Sequence, residues 1–150
     1  MLKWEVGSVF LGTHYPRLDE KGRLVLPAKF RDALAPGVVL AKGQDRSIVV
    51  WPAAEFAAYA AHLDEASRSS AKAQAYQRVL FSGASDEMPD RQGRITVPPA
   101  LREYAGLDRD VVVVGKNKTA EIWDAQAWQT YLDAQDDAYS GLDEEVPPGF

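Results

Sequence analysis

Asp19-Glu20-Lys21-Gly22-Arg23-Leu24-Val25-Leu26-Pro27 is written a second time in the same chain, as Asp90-Arg91-Gln92-Gly93-Arg94-Ile95-Thr96-Val97-Pro98. Around these strings, Phe10, Gly12, Asp19, Gly22, Arg23, Pro27 and Arg31 recur as Phe81, Gly83, Asp90, Gly93, Arg94, Pro98 and Arg102, at a constant offset of 71. Seven identities in the 22 positions from 10 to 31, where about one is expected by chance, mark an internal duplication. One residue is gained further on, so that Trp51 maps to Trp123 and Phe56 to Trp128. A duplicated chain of this kind predicts a pseudo-two-fold structure.

The shared string carries its own local geometry. Glycine accepts the left-handed conformation that a three-residue turn needs at its end, so Gly22 and Gly93 each close a tight turn. That turn sets Asp19 beside Arg23, and Asp90 beside Arg94, across the mouth of a hairpin. A short aspartate side chain also bonds backbone N–H groups within its own turn, so Asp19 and Asp90 read as supports for the turn and for the arginine fork.

Working outward, each repeat reads strand, tight turn, strand, short helix, strand, strand, helix. Pro27, lacking an N–H that a first helical turn would leave unpaired, opens a helix with Phe30, Ala33 and Leu34 on one face. Pro36-Gly37 ends it. Pro98 or Pro99 opens the second, with Leu101, Tyr104 and Ala105 as its stripe. Val38–Leu40 and Ser47–Trp51 predict strands around a Lys42-Gly43-Gln44-Asp45 turn, and Asp110–Val114 and Ala120–Trp123 echo them. A helix with Phe56, Tyr59, Ala60 and Leu63 follows the first pair, and one with Trp128, Tyr131 and Leu132 follows the second. These aromatics read as packing residues. The implied organisation is a first repeat over 10–63, a connecting helix over 64–80 with Ala75, Val79 and Leu80 on one side, a second repeat over 81–135, and an acidic tail over 136–150 expected to be disordered. Residues 1–8 have no counterpart in the second copy.

Composition narrows the function. With 150 residues, 46% of them apolar, the two copies have enough chain to build one core together, whereas a repeat of roughly 55–60 residues is marginal alone. The absence of cysteine excludes disulfides and thiolate metal sites. His14 and His62 lack ligand spacing and read as surface or packing residues. No apolar run approaches the ~20 residues of a membrane span, and the N-terminus lacks a signal-peptide core, so a cytoplasmic protein is expected. No Ser/His/Asp set, metal cluster or phosphate-cradling glycine loop points to an enzyme, and no cofactor is implied.

The net charge of −5 is distributed unevenly. Residues 133–150 carry six acidic residues and no basic one, which leaves the remainder at +1. Residues 17–31 hold Arg17, Lys21, Arg23, Lys29 and Arg31 against Asp19 and Glu20. A local basic patch on an acidic protein is compatible with DNA, because screening makes nearby charges count most. An arginine at a hairpin tip suits a guanine edge or a phosphate, and a β-ribbon fits the major groove. The candidate DNA-binding set is Arg23 and Arg94, with Lys21, Arg17, Lys29, Arg31 and Arg91 around them. Asp19, Gly22, Asp90 and Gly93 support the motif.

Two Asp-x-x-x-Arg strings at glycine turns, each followed by a β-rich run, a proline and a short amphipathic helix, resemble the AbrB-type swapped-hairpin DNA-binding domains. Two copies in one chain resemble the MraZ family, over FLGTHYPRLDEKGRLVLPAKFR (10–31), GRITVPPALREY (93–104) and AEIWDAQAW (120–128). The resemblance implies an α+β fold: a pseudo-two-fold swapped-hairpin β-barrel built from two tandem repeats with peripheral helices. It further implies a ring-shaped homo-oligomer that binds repeated elements in double-stranded DNA upstream of its own gene. Such a protein regulates transcription of the division and cell-wall gene cluster. The family's acidic and arginine positions fall on Asp19 and Arg23, and on Asp90 and Arg94. The second copy departs from the first at Pro98-Pro99 and at Ala100, which replaces Lys29. Two other functions fit the same repeats: an AbrB-type antidote of a toxin–antitoxin pair, and an oligomeric scaffold without DNA affinity.

Overall fold

The computed structural model describes residues 9–66 and 70–141. In the first repeat, β1 (Thr13–His14) leads through the Asp19 turn to β2 (Arg23–Val25), and a 3-10 turn at Ala28–Phe30 runs into α1 (Arg31–Leu34). β3 (Val38–Lys42), β4 (Ile48–Pro52) and α2 (Ala53–Ala66) complete it. After α3 (Ala71–Ser82), the second repeat follows the same order: β5 (Ser85–Glu87), β6 (Arg94–Thr96), α4 (Pro99–Tyr104), β7 (Val111–Lys116), β8 (Thr119–Asp124) and α5 (Ala125–Ser140).

The strands pair across the repeats. Six form an antiparallel sheet in the order β1-β7-β8-β4-β3-β5, and β2 pairs with β6 in a separate two-stranded ribbon. β1 of the first repeat therefore borders β7 of the second, while β5 borders β3. Both central registers obey the duplication. Leu24 stands opposite Ile95 in the ribbon, and Val49 stands opposite Glu121 where β4 meets β8. Each residue at those points faces its own duplicate, as a pseudo-two-fold axis through both pairs requires. The swapped pairing agrees with the expectation from the sequence, but the closed barrel does not. β1 and β5 are edge strands of two and three residues, each paired on one side only, so the sheet stays open. Within each repeat the hairpins are β3–β4 and β7–β8, whereas the motif turn does not close one: β2 turns away from β1 and takes its ladder from β6, as β6 does from β2.

The core lies between the ribbon and the sheet. Leu24, Leu26, Ile95 and Val97 on the inner side of the ribbon join Phe30, Leu34 and Leu101 from the short helices, and Leu40, Ile48, Val50, Val111, Val113 and Ile122 from the sheet. Phe10 and Phe30 meet edge to face at 4.9 Å, and His14 packs on Phe30 at 5.0 Å, which makes that histidine a packing residue. On the other face of the sheet, α5 sets Trp128 and Tyr131 against Val112, Val114 and Trp123. α2 does the same with Phe56 and Tyr59 on Trp51.

Helix boundaries follow their caps. Pro99, not Pro98, takes the first position of α4. The stretch 64–80 is the end of α2 followed by most of α3, rather than one connecting helix. Ser70 starts the new helix by accepting a hydrogen bond from the Ala73 N–H at 3.2 Å. Leu80 alone of the expected stripe is buried, while Val79 is 54% exposed. Residues 136–140, expected in the disordered tail, continue α5. That helix is capped by Asp124 at its start and carries a Gln129–Asp133 side-chain bond one turn apart. The rest of the tail, and residues 1–8, lie outside the described residues.

Leu24 and Ile95 are each 1% exposed at the centre of the ribbon. Leu24→Ala should therefore lower the unfolding free energy by about 2–5 kcal/mol, the usual cost of an apolar truncation in a close-packed core. Because both repeats share this pair, urea unfolding should remain a single transition with a lower midpoint, rather than split into one transition per repeat.

Candidate nucleic-acid interface

Each motif turn is held by its aspartate. Asp19 Oδ1 accepts the N–H groups of Lys21 and Arg23, both at 2.9 Å, and Oδ2 accepts Arg23 Nε at 2.8 Å. Asp90 repeats this with Gln92 and Arg94 N–H at 2.9 Å and Arg94 Nε at 2.8 Å. Backbone bonds Gly22 N–H to Asp19 O (3.0 Å) and Asp19 N–H to Arg23 O (2.8 Å) close the loop, and Gly22 and Gly93 take φ of +78° and +76°. The aspartate orients its arginine through Nε. Among the described residues, no hydrogen bond uses the terminal nitrogens of either guanidinium.

The ribbon then brings the two arginines together. Side chains alternate along a strand, so with Leu24 and Ile95 buried, Arg23, Val25, Arg94 and Thr96 share the solvent face. Arg23 lies opposite Thr96 and Arg94 opposite Val25. That makes the arginines diagonal neighbours, with side-chain origins roughly 7–8 Å apart. The result is a compact two-stranded head with two oriented cations related by the pseudo-dyad. A major groove about 12 Å wide admits a ribbon of that size.

The swap redistributes the other candidates. Arg31 is not beside its own turn: its Nε donates to Leu26 O at 3.1 Å, and a Cβ on Gly93 would lie 2.6 Å from that same Nε. Arg102, its duplicate, bonds Val97 O at 3.0 Å and would stand 2.8 Å from a Cβ on Gly22. Each arginine braces the turn of the other repeat. Arg31 thus belongs spatially with Gly93 of the second turn, although in sequence it follows Gly22, and Lys29 lies exposed two residues before it. Lys21 and Arg91 are exposed in the first and second turns. Arg17 is exposed but pairs with Asp110 of the second repeat at 3.4 Å, which reduces what it has to offer a phosphate. Arg102 and Arg109 were not among the sequence candidates. Together with Lys21, Glu20, Glu103 and Asp108 they line an open groove beside the first turn. Identity between Arg31 and Arg102 at the duplication offset was the signal for Arg102; Arg109 had none. Among the described residues, no group of three or more His, Cys, Asp or Glu side chains could hold a metal ion, and no helix is long and apolar enough to cross a membrane.

The hydrogen bonds hold both aspartates below their ordinary pKa of 3.8. For each the largest cause is the backbone N–H of the arginine four residues on, followed among the lowering causes by the guanidinium itself. A carboxylate depressed on folding adds stability that is fully present above its unfolded pKa and is lost as pH falls through the folded value. Amide resonances of Gly22, Arg23, Gly93 and Arg94 should therefore stay fixed from pH 7 to about 5, where carboxylates of unfolded chains are charged. They should titrate only below the ordinary aspartate range, and Asp19→Asn should abolish that titration at the first turn alone.

Comparison with known proteins finds one family twice along the chain. The family described as "MraZ protein, putative antitoxin-like" matches residues 9–79 and again 80–145, one match per repeat. The transcriptional regulator MraZ of Paenarthrobacter aurescens is 56% identical over 142 residues, covering 95% of this chain and 99% of that protein. The transcriptional regulators MraZ of Micrococcus luteus, 57% identical over 141 residues, and of Leifsonia xyli, 55% over 142, are each covered to 99% of their length. With a family match over both repeats and relatives of this identity over nearly the whole chain, the protein belongs to the MraZ family.

Proposed function

We propose that this chain is a sequence-specific DNA-binding regulator of transcription, and that it acts through the β2–β6 ribbon. The observation that carries the reading is the placement of two aspartate-oriented arginines on one exposed ribbon face, related by the pseudo-dyad. An arginine fork of fixed direction suits the paired acceptors of guanine in the major groove. The surrounding cations Lys21, Lys29, Arg31 and Arg91 supply phosphate contacts, which position the head without reading sequence. The relatives' names as transcriptional regulators support the same role. The partner is then double-stranded DNA carrying repeated elements upstream of the protein's own gene, and the regulated genes are the division and cell-wall cluster. The site of action is the nucleoid.

A single head buries little DNA, so the proposal includes a closed ring of identical chains. Several ribbons on one surface engage successive repeats at high effective concentration, and affinity rises without new contacts. Sedimentation at micromolar concentration should show a large homo-oligomer, and a clean monomer contradicts the ring. An antidote in a toxin–antitoxin pair has less support, because both motif copies here lie in one chain. Co-purification of a second, toxic protein would reverse that preference.

In a mobility-shift titration with the upstream region, Arg23→Ala and Arg94→Ala should each weaken binding by about 1–3 kcal/mol per engaged ribbon. The loss multiplies in a ring. Unchanged affinity in both variants, with folding intact, would rule out the ribbon as the reading head.

A further inference from the structure

The two flanks of the ribbon are not equally charged. Arg31 packs on Gly93 of the second turn, Arg91 is exposed in that turn, and Lys29 and Asp32 flank Arg31 in sequence. The first turn receives their duplicates, and the duplication has changed two of the three cations. Ala100 stands for Lys29 and Glu20 for Arg91, while Arg102 keeps the place of Arg31. The groove there adds Lys21 and Arg109, but Glu20, Glu103 and Asp108 match Lys21, Arg102 and Arg109 in number. Arg17 is matched as well, by Asp110 at 3.4 Å. The residue that shifts the repeat offset from 71 to 72 lies between Arg102 and Trp123. In that interval the loop after α4 carries Gly106-Leu107-Asp108-Arg109, where the first repeat has Ala35-Pro36-Gly37.

A two-fold head with two equal flanks sits on duplex in either direction with equal energy. Here one flank carries a net positive charge and the other none, within a few residues of the same arginine pair. Phosphates count charges at that range, because they lie inside the Debye length of about 8 Å. We propose that the Lys29–Arg31–Arg91 flank is the phosphate grip, and that this one-sided grip fixes the direction in which each chain lies on its DNA element. The arginine pair then reads bases almost symmetrically, and the flank decides which half of the element receives which repeat. The inference rests on the DNA-binding function proposed above.

Salt dependence separates the flanks. Each phosphate contact contributes about 0.9 to the slope of log K against log salt concentration. On a duplex of the upstream region trimmed to the shortest length bound, Lys29→Ala with Arg91→Ala should flatten the slope by nearly two such contacts. Lys21→Ala with Arg109→Ala should flatten it by less than one. Equal flattening overturns the one-sided grip while leaving DNA binding itself intact. Direction is read separately, since the native chain has no cysteine and Ala28→Cys offers a unique, exposed attachment point for a DNA-cleaving iron chelate. Cleavage should fall on one side of each element. The exchanges Glu20→Arg and Ala100→Lys, which copy the second flank onto the first, should spread it to both sides. Two-sided cleavage before those exchanges overturns the proposal. Failure of the native protein to bind any duplex overturns the function and this inference together.

Discussion

Two reciprocal hydrogen bonds tie the repeats at the point of interest: Leu26 N–H to Gly93 O and Val97 N–H to Gly22 O, both at 2.8 Å. Each motif turn uses its glycine carbonyl to hold the strand of the other repeat, and each strand delivers an arginine that packs on the same glycine. Neither turn is complete within its own repeat. A repeat of roughly sixty residues has a marginal interior of its own, and the shared ribbon answers that constraint by making one core from two halves. The same arrangement fixes what faces solvent. Once Leu24, Leu26, Ile95 and Val97 are committed inward, alternation sends Arg23 and Arg94 outward side by side.

Glycine at positions 22 and 93 is required twice over. A positive φ near +77° is costly for any residue with a Cβ, and the arginine of the opposite repeat occupies the space a Cβ would enter. Local backbone chemistry and long-range packing thus demand the same residue, and the aspartate adds a third constraint through its bonds to the turn amides. Agreement among independent demands on one short string gives the turn a single conformation and the arginine a single direction. A preorganised donor loses less freedom on binding than a mobile one.

Much of this was legible in the sequence, and the parts that were not share a cause. The Asp19–Arg23 and Asp90–Arg94 contacts, the burial of Phe30, Leu34 and Leu101, and the two aromatic clusters follow from spacing of four or fewer residues or from helical periodicity. Those rules are local. Whether Arg31 supports its own turn or its duplicate's is not local, since identities at an offset of 71 are the same for swapped and unswapped pairing. Sequence proximity groups Arg31 with Lys21, whereas the fold sets Arg31 on Gly93 of the second turn. The open sheet was missed for a similar reason: closure depends on whether β1 and β5 find second partners, which strand patterns do not specify. Helix α5 continues past its expected end, through the acidic residues after Tyr131, because Ala134, Gln135 and Ala138 are strong helix formers.

Bracing of each turn by the other repeat is open to measurement by amide hydrogen exchange in an Arg31→Ala variant. Exchange should be faster at Gly93 and Arg94 of the second turn and at Leu26 of its partner strand, with Lys21 and Arg23 of the first turn unchanged. Faster exchange at Lys21 and Arg23 with Gly93 and Arg94 unaffected would show that Arg31 serves its own repeat, and would contradict the interlocked arrangement on which the rest depends.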